Sequence, residues 1–155
     1  MLIYLHGLNS SSQSYKAGML RSRLAPARVL APPYPAHRPD AAITTLRAFF
    51  EKLGHVRPVV VGSSMGGFYG QFLARSYPFA HLFMINPALT PWDLLHDYEG
   101  RAQITAAGAT YTVDRELIES TRKYAIAEPC DSVPTTLFLD KGDEVIDYHI
   151  AERLY

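Results

Sequence analysis

The chain has 155 residues, 48% of them hydrophobic, enough for one core that buries about two thirds of the unfolded surface, so a single domain is expected. Its formal net charge is zero, with 15 basic and 15 acidic residues scattered along the chain, which leaves no electrostatic footprint for nucleic acid or an acidic membrane surface and points to a small partner. A lone cysteine, Cys130, cannot form an internal disulfide; with no basic leader before Met1–Leu5 and no apolar run near ~20 residues, the expected location is the cytoplasm.

Periodicity and breakers predict a strand over Leu2 to Leu5, a loop from His6 to Ser12, a helix over roughly Ser14 to Leu24 and a short strand from Arg28 to Ala31. The rigid loop Pro32-Pro33-Tyr34-Pro35 precedes a helix capped by Asp40 and running to about Leu53. Pro58 to Val61 is a third strand, Gly67 to Ala74 lies in a helix with an apolar face, His81 to Ile85 is a fourth strand and Thr135 to Leu139 a fifth. Strands separated by helix-length segments imply a mostly parallel, doubly wound sheet that binds ligands past the carboxyl ends of its strands, where His6, Ser64, Asn86 and Asp143 fall. About fifty residues separate the last two strands, too many for a simple crossover, so residues 90–134 are expected to form an inserted cap. Within it, Thr90 to Leu95 starts a helix, Gly100 to Gly108 reads as a loop, and Asp114 to Ala127 as a helix capped by Asp114. Asp147 opens a last helix.

The run Gly62-Ser63-Ser64-Met65-Gly66, between an apolar strand and a helix, has the form of a G-x-S-x-G nucleophile elbow. At such an elbow the serine takes a strained backbone conformation that lifts its hydroxyl clear of the sheet, and the glycines avoid collisions with the neighbouring strand and helix. Only Ser64 fits the register, because a nucleophile at Ser63 would put β-branched Val61 where the upstream glycine belongs. An oxyanion would be met by two backbone N–H groups, that of Met65 and one from the His6-Gly7-Leu8-Asn9 loop, best placed at Leu8. The His6 side chain itself reads as a loop-holding group.

A serine hydroxyl needs a base, and the base needs an orienting acid. Among the carboxylates from Asp140 to Asp147, Asp143 is the best placed: it follows a glycine beyond the strand, whereas Asp140 belongs to the strand end and Asp147 to a cap. The histidine that should follow is the gap in the pattern. Only His149 follows Asp143, and it falls in the last predicted helix. His37, His55, His81 and His96 all precede the acid, and Asp93, His96 and Asp97 read as solvated cap residues rather than as metal ligands. Pro33, Tyr34, Trp92 and Leu94, with Asn9, are the candidates for an apolar acyl site under the cap, with Asn9, Tyr34 and Trp92 as substrate contacts.

With His6-Gly7-Leu8-Asn9-Ser10-Ser11, Pro32-Pro33-Tyr34-Pro35, Gly62 to Tyr69, Asn86-Pro87-Ala88 and Gly142 to Tyr148 in view, nearly the whole chain resembles the YqiA-like esterases, small bacterial α/β-hydrolases. The resemblance implies an α/β-hydrolase fold that cleaves short-chain carboxylic esters or thioesters, with no metal and no organic cofactor, Ser64 as nucleophile and Asp143 as acid. The family's histidine lies in a glycine-rich segment after one further strand, absent here, so the chain is expected to be truncated at its C-terminus. Two other readings stay open: a non-catalytic hydrolase-fold protein that binds a small acyl compound or a partner, and an acyl transferase. The sequence leaves the oligomeric state open.

Overall fold

Alternation of apolar strands with amphipathic helices lays out the chain, which the computed structural model describes over residues 1–155. The order is β1 (Leu2–Leu5), α1 (Tyr15–Arg23), β2 (Val29–Leu30), α2 (Pro39–Glu51), β3 (Val59–Ser63), α3 (Met65–Leu73) and β4 (His81–Ile85). Then follow α4 (Pro91–His96), β5 (Ala102–Ile104), β6 (Thr110–Thr112), α5 (Arg115–Arg122), β7 (Thr135–Phe138) and α6 (Tyr148–Leu154). Five strands pair in parallel in the order β2-β1-β3-β4-β7. Leu5 stands opposite Gly62, Ser63 opposite Ile85, and Ile85 opposite Phe138. The strands therefore end level, and His6, Ser64 and Asn86 emerge side by side along one rim.

Ala42, Ile43, Leu46 and Phe50 recur at the spacing of one helix face and pack with Phe68 and Leu73 of α3 against Ile3, Leu5, Val60, Leu82 and Met84 of the sheet. On the opposite face α1 contributes Ala17, which covers Tyr4 and Val61. That cover stops short of the far edge, where Phe138 stacks on Phe83 with ring centroids 6.0 Å apart and is 54% exposed.

The segment between β4 and β7, expected as a cap, differs from expectation in two elements. The stretch read as a loop, Gly100 to Gly108, contains most of an antiparallel hairpin that pairs Ala102 with Thr112, Gln103 with Tyr111 and Ile104 with Thr110. It packs beside a small core of Leu95, Val113 and Ile118, which joins α4 to α5. Helix α5 stops at Arg122 rather than Ala127, just before Tyr124, whose hydroxyl donates to Asp40 at 2.6 Å. Asp40, expected as a cap, lies inside the first turn of α2 because Pro39 already takes a helical position. Its carboxylate instead accepts Lys123 Nζ at 2.7 Å and so ties α2 to the end of the cap.

Candidate active site

Ser64 connects β3 to α3 with φ 52 and ψ −120, a conformation that non-glycine residues enter only when their surroundings enforce it. The enforcement is visible on both sides of the peptide. Ser64 N–H donates to Ile85 O at 3.0 Å, and Ser64 O accepts Ala88 N–H at 3.2 Å. The crossing of α3 over the sheet is equally tight. A Cβ on Gly66 would overlap the Leu5 carbonyl and stand 2.9 Å from His6 O, and one on Gly67 would stand 2.8 Å from Pro87 Cβ.

The loop after β1 lies directly against the serine, since a Cβ on Gly7 would be 3.2 Å from Ser64 Cβ and 3.6 Å from its Oγ. Neither the Leu8 N–H nor the Met65 N–H donates to any protein acceptor, and Met65 opens α3, where the first-turn N–H groups have no partner within the helix. His6 is buried beneath this loop. Its Nδ1–H donates to Gly7 O at 3.0 Å, its ring stacks on Tyr34 at 4.2 Å, and burial lowers its pKa, which keeps the imidazole neutral at pH 7. Tyr34 is buried as well; its hydroxyl donates to His6 O, and burial raises its pKa far above the ordinary tyrosine value.

Asp143 projects from the turn after β7. Its Oδ1 accepts the N–H groups of Val145 and Ile146, each at 2.9 Å, and its Oδ2 accepts Asn86 Nδ2 at 2.7 Å. Asn86, itself at a φ of 40, takes the Asp140 N–H on its other side-chain atom at 2.8 Å, so one carboxamide stitches the ends of β4 and β7 together. The Ile146 N–H is the largest cause of a pKa below the usual carboxylate value, with Val145, Asn86 and Lys16 adding to it. A lowered folded-state pKa means that the ionised carboxylate stabilises the fold at neutral pH, and that this contribution is lost as pH falls through the folded value. Asp143→Asn should therefore have a lower urea midpoint than the parent chain at pH 7, and the difference should shrink below about pH 4, the ordinary Asp value.

No histidine of the six bonds to Ser64 or Asp143. Apart from His6, His37 lies 4.5 Å from the Tyr111 ring, His81 bonds Thr136 Oγ1 at 2.9 Å, and His55 is exposed in the turn after α2. His96 pairs with Glu99 at 3.4 Å, and His149, on α6 as expected, pairs with Glu152 at 3.2 Å.

Ser64 separates two spaces. On the cap side is a cavity of about 260 Å³, walled by Leu8, Ala88, Leu94, Leu95, Val113 and Ile146, with Asn9 and Gln103 as its carboxamides. On the other side an open trench of about 780 Å³ runs past Asn86 to Asp143, with Lys16 and Phe138 on its flanks. Ser64, Met65, Leu8 and Asn9 thus meet at the cavity, and Leu94 lines it as expected; Tyr34 and Trp92 lie outside it. Tyr34 is sealed beneath His6, while Trp92 packs edge-on against Phe68 at 6.4 Å with the Arg122 guanidinium 5.1 Å over its ring. Gln103 and Val113 were not among the expected lining residues. Their sequence signal was the hairpin, whose alternation is only three residues long on each strand.

Residues 1–155 match the family described as "Uncharacterised protein family (UPF0227)". Among solved structures, the chain is similar to alpha/beta hydrolase domain-containing protein 10 from mouse, at 13% identity and a TM-score of 0.75, over 99% of this chain and 73% of that one. It is also similar to Est1E from Butyrivibrio proteoclasticus (14% identity, TM-score 0.72, covering 99% and 72%). A monoacylglycerol lipase from Paleococcus ferrophilus gives 18% identity and a TM-score of 0.69, covering 99% and 78%. Identities at this level speak to the fold, which the parallel sheet with its covering helices already displays. This chain belongs to the UPF0227, or YqiA, family and has an α/β-hydrolase fold.

Proposed function

We propose that the protein is a serine hydrolase of carboxylic esters that works through an acyl-enzyme on Ser64. The observation that carries this reading is the strained Ser64 backbone beside two unfilled N–H groups, Leu8 and Met65, at the mouth of an apolar cavity. Strain of this kind persists where it is useful and overdetermined by its surroundings. Esterase and lipase names among proteins of the same fold agree with it. In the proposed step Ser64 Oγ bonds to the acyl carbon, and the carbonyl electrons move onto oxygen, where the two N–H groups receive them. Collapse expels the alcohol, which takes up the proton lost by the serine, and water then releases the acid by the same route. A cavity of about 260 Å³ suits a short acyl group, and the ester is the small partner that the neutral surface leaves open.

The proton has to travel through an imidazole that Asp143 orients, and the trench between Ser64 and Asp143 is where that ring would stand. None of the imidazoles in residues 1–155 lines that trench. The same observation favours a second reading, a non-catalytic binding protein that retains the cavity alone. The two readings differ at one atom. With free imidazole supplied as the base, a fluorophosphonate should label Ser64, as located by peptide mass spectrometry, and labelling and short-chain ester turnover should both vanish in Ser64→Ala. Labelling that is absent, or unchanged by that substitution, overturns the hydrolase reading.

A further inference from the structure

Hairpin β5–β6 is exposed at both ends of both strands, and only the central pair, Gln103 and Tyr111, is half-buried. Both of these inward residues bond the same side chain, nearly a hundred positions away. Tyr111 OH donates to Asn9 Oδ1 at 2.8 Å, and Asn9 Nδ2 donates to Gln103 Oε1 at 3.2 Å. Asn9 itself sits at a φ of 55, a left-handed conformation that asparagine tolerates better than most residues. It closes the Gly7-to-Ser10 turn, in which Ser10 N–H donates to Gly7 O at 3.3 Å. Leu8, one residue earlier, packs its side chain against the cap core of Leu95, Val113 and Ile118.

We infer that the hairpin is a positioning device for the oxyanion loop: Tyr111 and Gln103 clamp Asn9 and so fix the direction of the neighbouring Leu8 N–H. Asn9 is therefore a tether: its Oδ1 accepts from Tyr111 and one Nδ2–H is given to Gln103, while its second N–H stays free at the cavity wall. The His37 ring, tilted 32° to Tyr111 with centroids 4.5 Å apart, packs against the phenol as well. The inference rests on the Ser64 acyl-enzyme reading and adds to it that the cap, usually a matter of substrate fit, also sets the rate of the bond-forming step. A donor that must meet a developing charge loses most of its value when it is free to wander, since a misplacement of about 1 Å can cost ~100-fold in rate.

The test uses residues 1–155 and the kinetics of Ser64 phosphonylation by a small alkyl fluorophosphonate, with free imidazole added as the base. In that reaction the Ser64 Oγ–P bond forms, the P–F bond breaks, fluoride leaves and the hydroxyl proton passes to imidazole, while the phosphoryl oxygen occupies the oxyanion position. Tyr111→Phe removes one hydroxyl from a half-exposed ring. It should lower the maximal phosphonylation rate about tenfold or more, with the half-saturating reagent concentration and the melting temperature nearly unchanged. Thr110→Ala, on the exposed strand position beside it, should react like the parent. Asn9→Gly keeps the left-handed conformation available and removes both bonds; it should be at least as slow, and adding Tyr111→Phe to it should slow the reaction no further. A Tyr111→Phe chain that reacts at the parent rate, or additive effects in the double variant, would overturn the clamp while leaving the esterase reading intact. A parent chain that is not labelled at Ser64 would remove the esterase reading and the clamp with it.

Discussion

Gly66→Ala should leave the chain unfolded or insoluble at 25 °C. The added methyl would be driven into the carbonyl group of Leu5 and against His6 O, and both obstacles are backbone atoms at the buried end of β1. Side chains can swing away from an intruding methyl, but here β1 or α3 would have to move as a unit and break the sheet register beneath the elbow. Losses above about 4 kcal/mol are exceptional for single substitutions and arise from overpacking of this kind, and they are comparable with the whole stability of a small domain. Gly18 supplies the contrast. It lies within α1 with nothing within 4 Å of the position a Cβ would take, so Gly18→Ala should stabilise the chain by about 0.5–1 kcal/mol through helix propensity alone. Circular dichroism in urea on the two variants checks both signs.

Free imidazole should accelerate the turnover of a short-chain activated ester by this chain in proportion to its concentration, with no effect on the Ser64→Ala variant beyond the background reaction in buffer. The trench of about 780 Å³ admits a five-membered ring beside Ser64, and Asp143 waits at its far end with an Oδ2 that holds only Asn86. In this setting the ring accepts the serine proton while the carboxylate steadies the imidazolium that results. Asp143→Asn should abolish most of the imidazole-dependent rate. In an intact triad the same change costs ~10⁴-fold, and the loss is expected to be smaller here because a diffusible base pays its orientation entropy with or without the carboxylate. Acceleration that is equal in Ser64→Ala would show that the imidazole acts on the ester alone.

The strands and the elbow were legible because their signals are local. Three valines end at Gly62, and the glycines after Ser64 have no other reason to crowd the start of a helix. The same holds for Asp114 and Asp147, whose side chains accept Leu117 N–H and His149 N–H as capping residues do. The hairpin escaped because Ala102-Gln103-Ile104 and Thr110-Tyr111-Thr112 are short, exposed on alternate residues and flanked by Gly100 and Gly108, a composition that turns share. Other partners were not legible, because a side chain is claimed from a distance. Asp40 looks like a cap until Lys123 and Tyr124 arrive, Trp92 looks like a pocket wall until Arg122 covers it, and Asn9 finds its partners 94 and 102 residues away. No window of sequence contains such pairings. Asp143 was legible as a carboxylate in the turn beyond β7, but its support by Asn86, just past the end of β4, depends on β4 and β7 ending level.

The sheet closes across the cap: β4 ends at Ile85, its neighbour β7 begins at Thr135, and everything between them is a detour. Closing a detour costs entropy that grows only with the logarithm of its length, about 0.6 kcal/mol for each doubling. Evolution could thus lengthen, trim or replace the walls of the cavity by insertion and deletion while the register beneath Ser64 stays the same. A lineage built on this frame can change what it admits far more cheaply than it can change how it reacts, so divergence among its members should gather between residues 90 and 134, apart from Gln103 and Tyr111, which hold Asn9.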